Sequence, residues 1–136
     1  MEKYRKVKIV GKGNFGHAVL VQSVADRKFY IMKIIDVSRM DRKQKEEALN
    51  EVHVLKAMRH PYIVTYRESF MDRRCLCIVM DYADGGDVLQ KINQHQRTGT
   101  TFPEKEIWSI FIQLVKGLAA LHKRKILHRD MKVTVN

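Results

Sequence analysis

Three glycines, Gly11, Gly13 and Gly16, stand in a G-x-G-x-x-G spacing, and what flanks them leaves few folds open. Before them, Tyr4 to Val10 alternates, with Val7 and Ile9 on one side and Lys6 and Lys8 on the other, the pattern of a strand. After them, Ala18-Val19-Leu20-Val21 is β-rich, Ala25-Asp26-Arg27-Lys28 reads as a turn, and Phe29 to Ile35 is β-rich again. Dinucleotide-binding folds use the same glycine spacing but open a helix there. Asp36, twenty residues beyond Gly16, even stands where such a fold places its ribose acid. The missing helix argues against that fold. Strand, glycine loop, strand, turn, strand remains, with a loop whose backbone can close over phosphates because no Cβ intervenes.

In the third strand Lys33 ends Tyr30-Ile31-Met32-Lys33, inside an otherwise apolar run. A core-facing lysine needs an anion; an edge lysine would simply reach water. A helix follows, with Asp41 as N-cap and Gln44 reaching back in a capping box. Leu49, Val52, Leu55 and Met58 form its apolar stripe. Glu51 borders that stripe and is the expected ion-pair partner of Lys33; otherwise it is an ordinary surface glutamate. The helix is expected to stop before Arg59-His60-Pro61, since proline cannot continue it. Ile63 to Phe70 and Cys75 to Tyr82 read as two more strands around a Met71–Arg74 turn. Asp81 to Gly86 loses the pattern and reads as a linker between lobes. Asp87 can cap a short helix carrying Val88, Leu89 and Ile92, broken by Thr98-Gly99-Thr100. The last long helix begins near Pro103 and Glu104. Its stripe is Ile107, Phe111, Leu114, Leu118 and Leu121, widened by Trp108 and Val115. Lys123-Arg124-Lys125 then turns into Ile126-Leu127 and His128-Arg129-Asp130-Met131-Lys132.

Composition removes other classes. With 45% apolar and 30% charged residues in 136, the chain is not a disordered one. No apolar run approaches the ~20 residues of a membrane span, so no membrane partner is expected. The N-terminus lacks a secretory core, and a cytoplasmic or nuclear location is expected. Cys75 and Cys77, two apart in a strand, would lie about 6.6 Å apart, near the upper limit for a disulfide. They read as small apolar groups in a reducing compartment. The net charge of +11, Lys+Arg 26 against Asp+Glu 15, is scattered through every element. A solvated surface explains it, and nucleic acid is not expected as a partner.

With those elements placed, the chain resembles the N-terminal half of a eukaryotic protein kinase catalytic domain. The features that carry the resemblance are the glycine loop, Lys33 in the V-A-I-K slot, and His128-Arg129-Asp130-x-Lys132, read as H-R-D-x-K. Finer details are similar to the NimA-related (Nek) serine/threonine kinases: Gly-x-Gly-x-Phe-Gly-x-Ala at 11 to 18, His60-Pro61-x-Ile63-Val64 leading to Tyr66-x-Glu68-Ser69-Phe70, Ile78-Val79-Met80-Asp81-Tyr82 before Gly85-Gly86-Asp87, and Lys125-Ile126-Leu127 before the catalytic loop.

The resemblance implies an α+β, protein-kinase-like fold: a five-stranded antiparallel N-lobe sheet with one large helix (4–80), a hinge (81–87), the first helices of a helical C-lobe (88–132), and an atypical tail (133–136). It implies ATP as cofactor and a protein Ser/Thr as substrate. Gly11, Lys12, Gly13, Asn14, Phe15 and Gly16 would cover the phosphates, while Ala18 and Ile31 would pack on the adenine. Lys33 would hold the α- and β-phosphates and pair with Glu51. Met80 would be the gatekeeper. Asp81 and Ala83 would meet the adenine through their backbones, and Asp87 would face the ribose. Asp130 would be the catalytic base, and Lys132 beside it marks the serine/threonine pattern. The resemblance also brings a cytoskeletal or centrosomal association.

One departure stands at the end. Where the kinase pattern H-R-D-x-K-x-x-N has Asn, this sequence has Val135; Asn136 is one place late, and Val133 replaces the usual Pro. No D-F-G follows in these 136 residues. The Mg²⁺ ligands of an intact relative are thus absent and no metal site is expected here. The 136 residues read as a kinase domain truncated before its metal site, not expected to transfer phosphate alone. The missing C-lobe, or a partner protein, would cover helix 103–122. Two alternatives stand beside that: a non-catalytic nucleotide-binding or interaction fragment of a kinase, and a basic polyanion-binding domain.

Overall fold

The computed structural model describes every residue except Met1, Asn14, Phe15, Arg39, Asp130 and 133–136. Its elements run β1 (Tyr4–Gly13), β2 (Gly16–Ser23), β3 (Phe29–Asp36), α1 (Arg42–Ala57), β4 (Tyr66–Asp72), β5 (Cys75–Asp81), α2 (Val88–Thr98) and α3 (Glu104–Lys123). The chain divides into two units. One holds the residues up to Arg59 with Val64–Tyr82; the other holds His60–Ile63 and the residues from Ala83 on.

In the first unit the five strands form one antiparallel sheet in the order β1-β2-β3-β5-β4. Residues opposite one another across strands share a face, and alternate residues along a strand return to it. Ala18, Lys33 and Ile78 are thus on one face, with Leu20, Ile31 and Met80. This face takes α1: Ala48 and Val52 pack with Ile35, Met40, Leu76 and Ile78. The other face buries Val19, Val21, Tyr30, Met32, Ile34, Cys77 and Val79. Each such side chain contributes roughly 1.5–3 kcal/mol on burial.

The second core is closed by the sheet's own edges. Tyr4 of β1 stacks on Phe70 of β4, centroids 6.5 Å apart, and meets the Tyr30 ring edge-on at 6.3 Å. The Tyr4 hydroxyl donates to Glu68 Oε1 at 2.6 Å, and Lys3 Nζ lies 3.2 Å from Glu68 Oε2. The two outermost strands are therefore curled toward each other. Burial first, and then the Glu68 carboxylate, push the Tyr4 hydroxyl well above its ordinary pKa. The Tyr4 hydroxyl in turn holds Glu68 below the usual carboxylate range, against an opposing push from burial and with help from Lys3.

Four readings of the sequence are corrected. The expected two-sided alternation of β1 is broken by register shifts between Lys6 and Lys8 and between Ile9 and Gly11. Lys6 and Lys8 come to lie opposite Val21 and Leu20, adjacent residues that point to opposite faces, while Val7 and Ile9 are exposed. The fourth strand starts at Tyr66 rather than Ile63, because the Ile63 N–H bonds back to His60 O in the turn after Pro61. It also runs on through Asp72, so the turn shrinks to Arg73-Arg74, with Arg73 left-handed at φ 56°. On α1 the buried line is Ala48, Val52 and half-buried Leu55; Leu49 points to solvent. Asp41 and Gln44 do form the capping box, and the helix stops at Ala57. Cys77 is buried and Cys75 half-buried, both as free thiols; burial raises the Cys77 pKa.

In the second unit Asp87 and Gln90 form another capping box, and Gly99 ends α2 in the left-handed conformation at φ 63°. Pro103 starts α3 without a side-chain cap, and Glu104 and Glu106 in its first turn favour the positive helix end. Lys91 reaches Glu106 at 3.5 Å, tying α2 to α3. Gly117 is buried where an added Cβ would lie 3.2 Å from the Tyr62 carbonyl oxygen, so any larger residue there would press α3 a few tenths of an ångström away from the 60–63 turn. Leu121 is buried, but Ile107, Trp108, Phe111, Ile112, Leu114 and Val115 are exposed. Among the described residues no helix is long and apolar enough to cross a membrane.

Candidate functional site

The glycine spacing becomes a hairpin tip. Gly13 pairs with Gly16, Lys12 with His17 and Gly11 with Ala18. Asn14 and Phe15, both candidates from sequence, lie outside the described residues. Gly16 also pairs with Ile35, and a Cβ on it would run into the Ile34 carbonyl oxygen. Backbone cannot rotate away as a side chain can, so this glycine is required by packing as well as by any ligand. Gly13 is different: only the Gly16 oxygen, at 3.8 Å, would meet its Cβ.

Below that tip, Ala18, Ile31, Lys33 and Met80 share the sheet face that carries α1. All four are half-buried. Lys33 Nζ lies 2.7 Å from Glu51 Oε1. The side chains are 41% and 45% exposed, so Lys33 is on the core-bearing face and meets an anion there, but it is half-covered rather than buried. It stands mid-strand in the central strand β3 with its side chain half-exposed, and a half-exposed ion pair is worth about 0–1 kcal/mol. Such a pair does little for stability. It fixes where an ammonium sits, and it separates easily. Glu51 is carried to that point by α1, whose start is set by the Gln44 N–H to Asp41 Oδ1 bond of 2.8 Å and the reciprocal Asp41 N–H to Gln44 Oε1 bond of 3.0 Å.

Asp81 ends β5 and is already engaged. Its backbone N–H donates to Thr65 O at 3.0 Å. Its carboxylate receives Arg67 Nε at 2.5 Å and Nη2 at 3.1 Å. Of the backbone groups assigned to adenine at this residue, the N–H is taken, and the carbonyl is the group left to address a base. In the second unit, Ala83 is exposed and Asp87 Oδ1 accepts the Gln90 N–H at 2.7 Å. After α3, Lys125 and Arg129 are both left-handed, at φ 59° and 62°, so the chain turns sharply on either side of Ile126–His128. Lys132 is exposed, and Asp130 lies outside the described residues.

The first unit thus brings together Gly11, Lys12, Gly13, Gly16, Ala18, Ile31, Lys33, Glu51, Met80 and Asp81. Ala83, Asp87 and Lys132 belong to the second. Arg67 was missed by sequence reasoning. It is the residue at the β4 register shift between Tyr66 and Glu68, and nothing in a lone arginine within a strand announces a bulge. Among the described residues no three His, Cys, Asp or Glu side chains cluster as a metal cage.

The profile of the protein kinase domain family matches residues 4–134. Serine/threonine-protein kinase Nek1 of Mus musculus is 47% identical over 132 residues, which are 97% of this chain and 11% of that protein. Probable serine/threonine-protein kinase nek3 of Dictyostelium discoideum is 41% identical, over 97% of this chain and 12% of its own length. Serine/threonine-protein kinase Nek5 of Homo sapiens is 42% identical, over 97% and 18%. The chain therefore spans between a tenth and a fifth of the length of these relatives.

Proposed function

We propose, from the premise that this chain belongs to the protein kinase domain family, that its first unit binds ATP and that it is the nucleotide-holding part of a NimA-related serine/threonine kinase. The observation that carries this reading is the 2.7 Å pair of Lys33 and Glu51 on the sheet face shared by Ala18 and Ile31, beneath a hairpin tipped by Gly13 and Gly16. An apolar floor, a fixed ammonium and a glycine-bearing loop whose backbone can come close are what a nucleoside triphosphate asks of a protein. The adenine packs on Ala18 and Ile31, with Met80 setting how deep it goes. The Asp81 carbonyl accepts from the base. Lys33 neutralises the α- and β-phosphates, held in place by Glu51, and the backbone of the glycine loop covers them.

In the transfer itself, the substrate Ser or Thr oxygen forms a bond to the γ-phosphorus as the bond to the β,γ-bridging oxygen breaks. Asp130 accepts the hydroxyl proton, and ADP leaves. Lys132 offsets charge on the moving phosphoryl group. Most of the rate comes from positioning and charge compensation rather than covalent work. Val135 stands where the kinase pattern has its metal-binding Asn, and a valine side chain offers a cation no donor atom. That same residue supports a second reading: nucleotide binding without transfer.

The test is a radiolabel transfer assay from γ-labelled ATP to a generic Ser/Thr protein substrate. It compares the protein with its Asp130→Asn variant. The kinase reading expects incorporation by the protein and none above background by the variant. Equal incorporation by the protein and Asp130→Asn would overturn the kinase assignment. Incorporation clearly above that of Asp130→Asn would overturn the second reading.

A further inference from the structure

On the opposite face of the sheet from Lys33, a chain of polar contacts converges on Asp81. Asp81 lies opposite Tyr30, and Met80 opposite Ile31, so Asp81 and Met80 point to different faces. The Arg67 guanidinium grips the Asp81 carboxylate with two bonds, Nε to Oδ1 and Nη2 to Oδ2. The same guanidinium lies over the Tyr30 ring, 5.8 Å from its centroid. The Tyr30 hydroxyl donates to Asp26 Oδ2 at 2.7 Å, and Asp26 Oδ1 accepts the Lys28 N–H at 3.0 Å. The turn between β2 and β3 and the adjacent ends of β3, β4 and β5 are joined by this one chain.

Two-bond, fork-on-fork pairing fixes orientation in a way that a single-point contact does not. With the Asp81 N–H also bonded to Thr65 O, three bonds hold one residue at the point where the chain leaves the sheet. We propose that Arg67 is a positioning residue for base recognition: acting from the far side of the sheet through the Asp81 carboxylate, it fixes the Asp81 carbonyl at the height and angle an adenine amino group needs. This rests on the nucleotide reading above. The pair is half-exposed, and as a stabilising contact it would be minor. Its value is geometric, because a hydrogen-bonding group displaced by a fraction of an ångström loses much of its effect.

The experiment uses the natural protein and measures direct binding of two probes, ATP and inorganic tripolyphosphate. Tripolyphosphate addresses the glycine loop and Lys33 but has no base. Arg67→Ala is expected to weaken ATP by about three- to tenfold and to leave tripolyphosphate unchanged. Arg67→Lys keeps the charge but loses the fork, and should recover only part of the ATP affinity. Asp81→Asn, which keeps shape and removes the charge, should resemble Arg67→Ala. It serves as the test should Arg67→Ala fold poorly. Equal loss for both probes would show a merely structural role and overturn the inference, as would unchanged ATP affinity in both Arg67→Ala and Asp81→Asn. A wild-type protein that binds neither probe would overturn the nucleotide reading itself. That result is distinct, because it appears before any substitution is made.

Discussion

Replacing Tyr4 with Phe removes one oxygen atom from the seam where the two outer strands meet. The ring keeps its stack on Phe70 and its edge contact with Tyr30, so no cavity opens. What is lost is the 2.6 Å bond to Glu68. A hydrogen bond to a charged acceptor is worth about 1.5–3 kcal/mol. Glu68 is 33% exposed, and water can replace part of the loss; about 1–2 kcal/mol remains. For a chain of this size that lowers Tm by roughly 3–8 °C.

The pH dependence follows from both partners. Glu68 has a depressed pKa in the folded chain. Its contribution is present above its unfolded pKa of about 4.3 and fades as pH falls through the folded value. Tyr4 has a raised pKa. Its contribution is complete below its unfolded pKa of about 10 and fades as pH rises through the folded value. The gap between wild type and Tyr4→Phe should therefore be widest between about pH 5 and pH 10 and narrow in acid. Thermal melts followed by far-UV circular dichroism, at pH 7 and near pH 3, measure it. Equal Tm values at pH 7, or a gap that persists undiminished in acid, would refute the argument that this bond closes the sheet.

Three other substitutions or preparations are as specific. Gly16→Ala sets a methyl group against the Ile34 carbonyl oxygen, and should lower stability by about 1–3 kcal/mol; an unchanged denaturant midpoint would contradict the close approach. Asp41→Ala removes the α1 capping box and should reduce stability by about 1 kcal/mol, read from the same midpoint. The 136-residue polypeptide should self-associate through Ile107, Trp108, Phe111, Ile112, Leu114 and Val115. Sedimentation should show larger species that diminish in a Phe111→Lys, Val115→Lys double variant, and a wild-type monomer at all concentrations would refute this.

Most of the element order was legible because punctuation and periodicity agreed. Asp41 with Gln44, Pro61, Asp87 and Gly99 act through bonds and dihedrals that depend on a few neighbours, so the letters suffice. The Lys33–Glu51 encounter was also within reach, since one strand and one helix stripe define it. What failed depended on pairings and turns that a local residue pattern does not announce. The β1 bulges follow from pairing with β2, and the late start of β4 follows from a turn that belongs with the other unit. The exposure of Leu49 reflects which line of α1 meets Ile35, Leu76 and Ile78. Likewise Tyr4 meets Glu68 only because two strands distant in sequence are drawn together, and Arg67 meets Asp81 only through a register shift. Lys33 is flanked by apolar residues along the central strand, yet its long side chain stays 41% exposed on the face that carries α1, which its strand neighbours alone do not reveal.

The most direct measurement of the central claim uses an acyl-phosphate derivative of ATP, which acylates a lysine lying beside the bound phosphates. Peptide mass spectrometry then locates the label. Of all the lysines in the chain, Lys33 is expected to be acylated most, with the label suppressed by excess ATP and reduced in Glu51→Gln. Labelling spread over the surface lysines, or a Lys33 label that excess ATP does not suppress, would contradict it.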